Sequence, residues 1–180
     1  MSAHILICTA ERSSGFNKMS IIIRKYTDKD LQEMKIIWNE VVEEANSFPQ
    51  EKPLNDKDAF DFFANQSYTG VAEENGKIAG LYILHPNNIG RCSHIANSSY
   101  AVKKDQRGKH IGEALVKDSL KIASGLSFRI LQFNAVVAKN HGAIHLYKKL
   151  GFKQLGIIPG GFRMNNGTYE DIIPFYIKLM

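Results

Sequence analysis

Apolar and polar residues follow two different periods along this chain, and the period changes from one segment to the next. Apolar residues three or four positions apart, including Leu31, Met34 and Trp38, predict a helix that begins behind Thr27 or Asp28. The same period recurs in three later segments, 55–65, 113–122 and 140–150. The chain therefore predicts about four helices, each with one apolar face.

Strand-like segments separate these helices. They cover 21–26, 68–73, 77–84, 95–102, 128–137, 153–158 and 169–177. Asn75-Gly76 is a strong hairpin signal between two of them, and a loop containing Gly160, Gly161 and 165–167 is predicted between the last two. The order of elements predicts an α/β (α+β) fold, with a mixed, mostly antiparallel sheet of about seven strands flanked by about four helices.

The basic turn, Val102 to Gly112, lies between a predicted strand and a predicted helix. Unpaired N–H groups and the positive end of the helix dipole at such a helix start suit a phosphate or pyrophosphate. Gly108 and Gly112 allow close backbone approach, while Arg107, Lys109 and His110 add basic side chains. Neither a G-x-x-x-x-G-K-[ST] string nor a G-x-G-x-x-G string occurs in the turn, so two common phosphate loops do not match it.

Two motifs together indicate a family. Arg107 and Gly112 match the ends of [QR]-x-x-G-x-[GA], with His110 at the position of the first glycine. A second pattern, N-x-x-A-x-x-L-Y-x-K-x-G-F, is matched by Asn140, Ala143, Leu146, Tyr147, Lys149, Gly151 and Phe152. In this order, about one strand apart, the two motifs resemble those of the GCN5-related N-acetyltransferase (GNAT) family. The resemblance covers roughly 21–178.

The resemblance implies an enzyme that moves an acetyl group from acetyl-CoA to an amine by direct attack, without a metal. It implies that the backbone near Val102 pairs with pantetheine, and that a splay after it leaves room for the co-substrate. The implied co-substrate contacts are Val102, Lys104, Arg107, Gly108, Lys109, His110, Ile111, Gly112 and Asn140. For Asn140 a helix N-cap is an equally good interpretation.

Acyl transfer needs a neutral amine, N–H donors for the carbonyl oxygen and a proton for the departing thiolate. By the resemblance, Tyr147 supplies that proton; the alternative is that Tyr147 only packs against the sheet. The strand 95–102 lacks the glutamate that many family members place there as a base. His94 and a chain of water molecules are the remaining candidates for that role.

A finer resemblance concerns the acceptor. Segments 90–97, 133–136 and 158–160 resemble acetyltransferases of azetidine-2-carboxylate and proline-related amines, which implies that Asn97 and Asn134 hold a small substrate. Two amides can offer N–H donors to a carboxylate without burying a charge. The alternative is that each asparagine caps a strand irregularity, such as a bulge at 97–99. A protein or peptide acceptor and a non-catalytic acyl-CoA-binding regulator are the alternative functions.

Composition sets the remaining expectations. The 180 residues, 44% hydrophobic and 23% charged, make one domain; we expect it over 19–180, after an extension over 1–18. A net charge of +5, densest in the basic turn, fits a polyanionic co-substrate better than nucleic acid. Cys8 and Cys92 suit reduced thiols, and no signal or membrane segment is recognisable, so a cytoplasmic location is expected. The family resemblance alone suggests a homodimer.

Overall fold

The computed structural model describes residues 6–7 and 21–179. Nine strands are found there: β1 (Leu6–Ile7), β2 (Ile21–Lys25), β3 (Tyr68–Glu74), β4 (Lys77–Pro86), β5 (Ile95–Val102), β6 (Ile130–Val137), β7 (Lys153–Gln154), β8 (Ile158–Arg163) and β9 (Tyr169–Lys178). They form one sheet in the order β1-β2-β3-β4-β5-β6-β9-β7, and β8 also pairs with β9. Of these pairs, only β5–β6 is parallel. The predicted fold class is confirmed.

Four helices are found in the same residues: α1 (Leu31–Glu44), α2 (Asp56–Ala64), α3 (Ile111–Gly125) and α4 (His141–Lys149). A short 3-10 turn over Asp28–Asp30, with Thr27 and Asp30 as a capping box, precedes α1. Asn55 caps α2 by accepting the N–H of Asp58. None of the helices described here is both long and apolar enough to span a membrane.

The helices divide between the two faces of the sheet because side chains alternate along each strand. In β4, Leu81 and Ile83 pack with Trp38 in the core beneath α1 and α2. Tyr82 and Leu84 point to the opposite face and pack in the core beneath α3 and α4. The sheet therefore carries a hydrophobic core on each face.

The C-terminal strands differ from the prediction. The expected strand over 153–158 is divided into β7 and β8, and Gly160 and Gly161 lie inside β8 and not in a loop. Gly160 has φ +62, and a Cβ on Gly161 would lie 2.5 Å from a side-chain carbon of Ile172. These glycines let an irregular β8 approach β9 closely. The sequence pattern predicts a turn at these two glycines, whereas they form part of a strand.

The strands β5 and β6 separate soon after they meet. Their parallel pairing is confined to Ile95 with Ile130 and Ala96 with Leu131. The register of β5 against β4 is unbroken, so the bulge suggested at 97–99 is wrong. An irregularity lies instead in β6, between Phe133 and Val136. This separation opens the sheet at its centre.

The expectation of a loose extension over 1–18 lies outside the described residues, apart from β1. There Leu6 pairs with Ile23 and Ile7 with Ile22. The proposed domain start near residue 19 remains a prediction.

Candidate active site

A large cleft, about 1000 Å³ in volume, opens where β5 and β6 diverge. The start of α3 and one side of α4 form one part of its wall. The loop after α1, including Phe48 and Pro49, and Met164 after β8 form another part. The cleft thus connects the basic turn to the face of the sheet that carries α1 and α2.

The basic turn presents its backbone at the start of α3. Gly108 has φ +81, and His110, the N-cap of α3, has φ 63. His110 therefore adopts the left-handed conformation that usually favours glycine. Its side chain is 83% exposed, with Nδ1 3.6 Å from a carboxylate oxygen of Glu113. The substitution of histidine for the glycine of the motif is accommodated by the backbone, while the imidazole stays in solvent.

Arg107 holds the basic turn to two neighbouring elements. Its Nε donates to the carbonyl of Val102 at 3.1 Å, and its Nη1 donates to both carboxylate oxygens of Glu44 at 2.9 Å. Glu44 is the last residue of α1, so this ion pair ties α1 to the turn. The guanidinium and Glu44 both line the cleft.

The predicted co-substrate contacts divide into two groups. Those that line the cleft are Val102, Arg107, Gly108, His110, Ile111, Gly112 and Asn140. Lys104 and Lys109 do not line it: the Lys104 N–H lies 3.4 Å from Glu40, and Nζ of Lys109 donates to Gln106 at 2.6 Å. Of the basic residues predicted to contact the co-substrate, Arg107 and His110 therefore line the cleft.

Tyr147 reaches the cleft from α4 through a cluster of aromatic rings. Its ring lies 4.4 Å from that of Phe133 and 5.5 Å from that of Phe152, between ring centroids. Burial raises the pKa of the Tyr147 hydroxyl above its ordinary value, and Tyr100 adds to this rise. Among residues 21–179 no hydrogen-bond partner of this hydroxyl is found. Tyr147 therefore keeps its proton and has it free for a ligand.

The helices α3 and α4 are joined beside the basic turn. Glu113 accepts from Lys149 at 2.7 Å, and its second oxygen lies 2.8 Å from Nζ of Lys117. These two lysines lower the pKa of Glu113 to about 2. Asn140 caps α4 by accepting the N–H of Ala143 at 3.1 Å, so its predicted N-cap role is confirmed.

The two asparagines predicted to hold the substrate meet through a third. Oδ1 of Asn87 accepts from Nδ2 of Asn134 at 2.6 Å and from Nδ2 of Asn97 at 3.2 Å. Nδ2 of Asn87 donates back to Oδ1 of Asn134 at 3.2 Å, and Gln132 donates to the same oxygen at 3.0 Å. We call Asn87, Asn97, Gln132 and Asn134 the amide cluster. Asn97 and Asn134 line the cleft.

Sequence reasoning missed Asn87. It follows the end of β4, where its N–H donates to the carbonyl of Ile95 at 2.7 Å. Nothing in its neighbourhood distinguishes it from Asn88 in sequence. Asn87 meets Asn97 because the chain turns back into β5, and it meets Asn134 because β6 lies beside β5.

The candidate bases are few. His94 does not line the cleft; it borders a separate small depression with Arg129 and Lys178. The two carboxylates that do line the cleft, Glu44 and Glu113, are both held in ion pairs. Within residues 21–179, no three His, Cys, Asp or Glu side chains are grouped so that they could hold a metal. Two histidines, His110 and His145, also line the cleft.

Comparison with known proteins identifies the family. The model of the Acetyltransferase (GNAT) family matches residues 34–152, and the chain belongs to that family. The N-acetyltransferase aca1 of Schizosaccharomyces pombe is 28% identical over an alignment of 188 positions, covering 92% of this chain and 89% of the relative. The predicted family is confirmed, and with it the predicted class, an acyl-CoA-dependent acetyltransferase with acetyl-CoA as co-substrate.

Solved structures share the fold. A GCN5-related N-acetyltransferase from Kribbella flavida is similar with a TM-score of 0.82 at 28% identity, over 88% of this chain and 97% of its own. The phosphinothricin acetyltransferase of Sinorhizobium meliloti, solved in complex with acetyl-CoA, gives a TM-score of 0.82 at 20% identity over 88% of each chain. At the lower identity, the likeness shows the fold alone.

Proposed function

We propose that this enzyme transfers the acetyl group of acetyl-CoA to the amine of a small molecule that also carries a carboxylate, such as azetidine-2-carboxylate or proline. The observation that carries this proposal is the amide cluster, which sits where the divergence of β5 and β6 opens the sheet. Asn97 and Asn134 place amide groups on the cleft wall, and both are hydrogen-bonded to the uncharged amide of Asn87.

The hydrogen-bond inventory of the amide cluster favours an acceptor-rich ligand. Each asparagine amide has two N–H donors and one oxygen. Asn97 and Asn134 each donate one N–H to Oδ1 of Asn87, so that each side chain keeps one further N–H donor. Oδ1 of Asn134 already accepts from Asn87 and Gln132. A carboxylate, which only accepts, is the group best suited to these two remaining donors.

The other end of the cleft suits acetyl-CoA. The left-handed Gly108 and His110 place backbone at the start of α3, where N–H groups and the helix dipole stabilise a pyrophosphate. Val102 lies at the edge of β5 that β6 leaves unpaired, which gives pantetheine amides a strand to pair with. Ile111 and Gly112 begin the helix, and Asn140 lines the cleft from the start of α4.

Tyr147 lies between these two ends and has the proton that the reaction needs. The amine nitrogen forms a bond to the thioester carbonyl carbon, the carbon–sulfur bond breaks, and the thiolate leaves with the bonding electrons. The Tyr147 hydroxyl donates its proton to that sulfur, while the proton lost by the amine passes to water. Burial keeps the hydroxyl protonated before the reaction. Because a raised pKa also makes the hydroxyl a weaker acid, the proton transfer depends on its position beside the sulfur.

A contact between two loops beside the cleft favours a small acceptor. Glu51, in the loop after α1, forms an ion pair with Arg163 at the end of β8. Their neighbours Phe48, Pro49 and Met164 line the cleft. This contact joins the two segments across the acceptor side, whereas a protein or peptide acceptor would need an open groove there. A cytoplasmic location and a homodimer remain predictions.

The experiment is acetyl-CoA-dependent thiol release by the purified protein, with product mass confirmed by mass spectrometry. The acceptor panel contains azetidine-2-carboxylate, proline, phosphinothricin, other amino acids, polyamines, aminoglycosides and short peptides. We expect the highest kcat/KM with small amines that carry an acid group. Turnover confined to peptides would overturn the proposal in favour of a protein acceptor. Acetyl-CoA binding without any turnover would indicate a non-catalytic regulator.

A further inference from the structure

We propose that Asn87 is a positioning residue that passes the amide orientation of Asn97 on to Asn134, so that both present N–H groups to the acceptor's carboxylate. This inference rests on the proposed function, in which those two asparagines hold the substrate. In this proposal, the preference for an acid over an uncharged analogue depends on Asn87. Asn87 is not among the residues that line the cleft, and it acts through its hydrogen bonds to Asn97 and Asn134.

The orientation of the amides is set from a backbone group that cannot turn over. Oδ1 of Asn97 accepts the N–H of Ser98 at 2.7 Å, which places Nδ2 of Asn97 on the side of Asn87. Because Nδ2 of Asn97 is a donor, the atom of Asn87 that faces it must be the oxygen. The orientation of Asn87 therefore follows from the peptide bond of Ser98.

The same orientation is passed on to Asn134. Asn87 and Asn134 form a reciprocal amide pair, with N–H···O distances of 2.6 Å and 3.2 Å in the two directions. Turning over either amide alone would bring two oxygens or two NH2 groups together. Gln132 also donates to Oδ1 of Asn134, at 3.0 Å, and this bond favours the same orientation of the Asn134 amide. The backbone N–H of Ser98 thus determines which atoms of two cleft residues meet the ligand.

Without Asn87 this order would be lost. Asn134 is an exposed side chain on the irregular part of β6, and its remaining side-chain partner would be Gln132, whose own amide can turn over together with it. An amide turned over presents its oxygen to the carboxylate, which repels it. Asn87 itself is partly exposed and keeps its main-chain bond to Ile95 whatever its side chain. Its replacement should therefore disturb orientation and leave the fold intact.

The test compares Asn87→Ala with Asn88→Ala. Asn88 is adjacent and exposed, and its only side-chain contact among the described residues is a 3.3 Å bond to the N–H of Ile89. In Asn87→Ala we expect the KM for a carboxylated amine to rise about tenfold, with the KM for acetyl-CoA unchanged. The Asn88→Ala protein should match the natural one in both constants. An unchanged amine KM in Asn87→Ala, where Asn97→Ala and Asn134→Ala raise it, would overturn the positioning role alone.

A second variant separates orientation from general damage. Asn87→Asp can still accept from Asn97 and Asn134, but it cannot donate to Asn134 and it adds a negative charge. Its KM should rise more for azetidine-2-carboxylate than for the corresponding carboxamide, which has no charge to repel. Equal losses with both acceptors would indicate mere structural damage and contradict the inference.

A readout independent of turnover decides the point even if the substrate proposal fails. The side-chain N–H protons of Asn97 and Asn134 can be followed by NMR through their exchange with water. We expect one slowly exchanging proton on each side chain in the natural protein and in Asn88→Ala, and fast exchange of both in Asn87→Ala. Unchanged exchange in Asn87→Ala would show that Asn87 does not hold these amides.

Discussion

The two ends of the cleft are built in different ways. The proposed co-substrate end is mainly one contiguous segment, the basic turn and the first residues of α3, which would bind through backbone groups. The proposed acceptor end is assembled from side chains at positions 87, 97, 132 and 134, which three separate segments bring together. A site made by local backbone geometry can therefore be recognised in a sequence, whereas a site made by side chains from separate strands becomes visible only in the fold.

The largest expected effect lies where the two ends meet. Tyr147→Phe keeps the ring contacts with Phe133 and Phe152 but removes the hydroxyl. We expect kcat to fall by about 10²-fold or more, the usual contribution of a positioned acid, while the KM values for acetyl-CoA and amine change little. Steady-state thiol-release kinetics measure this. Normal turnover by the phenylalanine variant would exclude Tyr147 as the acid.

The second effect belongs to the co-substrate end. Gly112→Asp places a negative charge beside the proposed pyrophosphate site and should raise the KM for acetyl-CoA about tenfold or more, without changing the KM for the amine. Gly112→Ala is the matched control, because a Cβ there would lie 3.9 Å from Leu146 and Val102, an ordinary contact. If the alanine and aspartate variants bind acetyl-CoA equally well, the turn does not hold the pyrophosphate.

The third effect concerns the acceptor end, where we expect the KM for the amine to change and the KM for acetyl-CoA to stay the same. Asn134→Ala removes one of the two available amide donors and should raise the KM for a carboxylated amine by about five- to tenfold. The KM for acetyl-CoA should stay the same, since Asn134 belongs to β6 and not to the basic turn. Initial rates with each substrate varied in turn provide both constants. A matching rise in both constants would break the division of the cleft into two independent ends.

The smallest effect concerns the junction of α3 and α4. Glu113→Gln loses the ion pairs with Lys149 and Lys117, which are partly exposed, so the free energy of unfolding at pH 7 should fall by only about 1 kcal/mol. Because these lysines lower the pKa of Glu113 to about 2, its stabilising contribution is present above its ordinary pKa and is lost as pH falls toward 2. Urea unfolding at several pH values measures the difference between the two proteins. A difference that does not shrink in acid would mean that the ion pairs are not its source.

The sequence predicted the elements that depend on neighbouring residues. The Asn75-Gly76 hairpin, the Asn140 helix cap and the strand-turn-helix unit around the basic turn all follow from local chemistry. Local patterns also explain the main error, since Gly160 and Gly161 are turn residues by composition. The close approach of Gly161 to Ile172 depends on a strand that comes later in the chain.

The acceptor end could be predicted only in part. Asn97 and Asn134 were chosen by resemblance, and the structure brings them together through a residue that no sequence pattern marked. The ion pair of Glu44 with Arg107 joins residues 63 positions apart and was equally invisible in the sequence. In each case the partner is set by how α1 and the loop after β4 pack onto the sheet, which local periodicity does not determine.

In the proposed function, the acceptor end of the cleft recognises a carboxylate through the amide cluster. The most direct measurement is kcat/KM, at saturating acetyl-CoA, for azetidine-2-carboxylate and for its carboxamide, which differ only in the group that the amide cluster would contact. We expect the acid to be preferred by about tenfold or more, the difference between a charge-assisted pair of hydrogen bonds and a neutral one. Equal values for the two acceptors, or a preference for the carboxamide, would contradict the account.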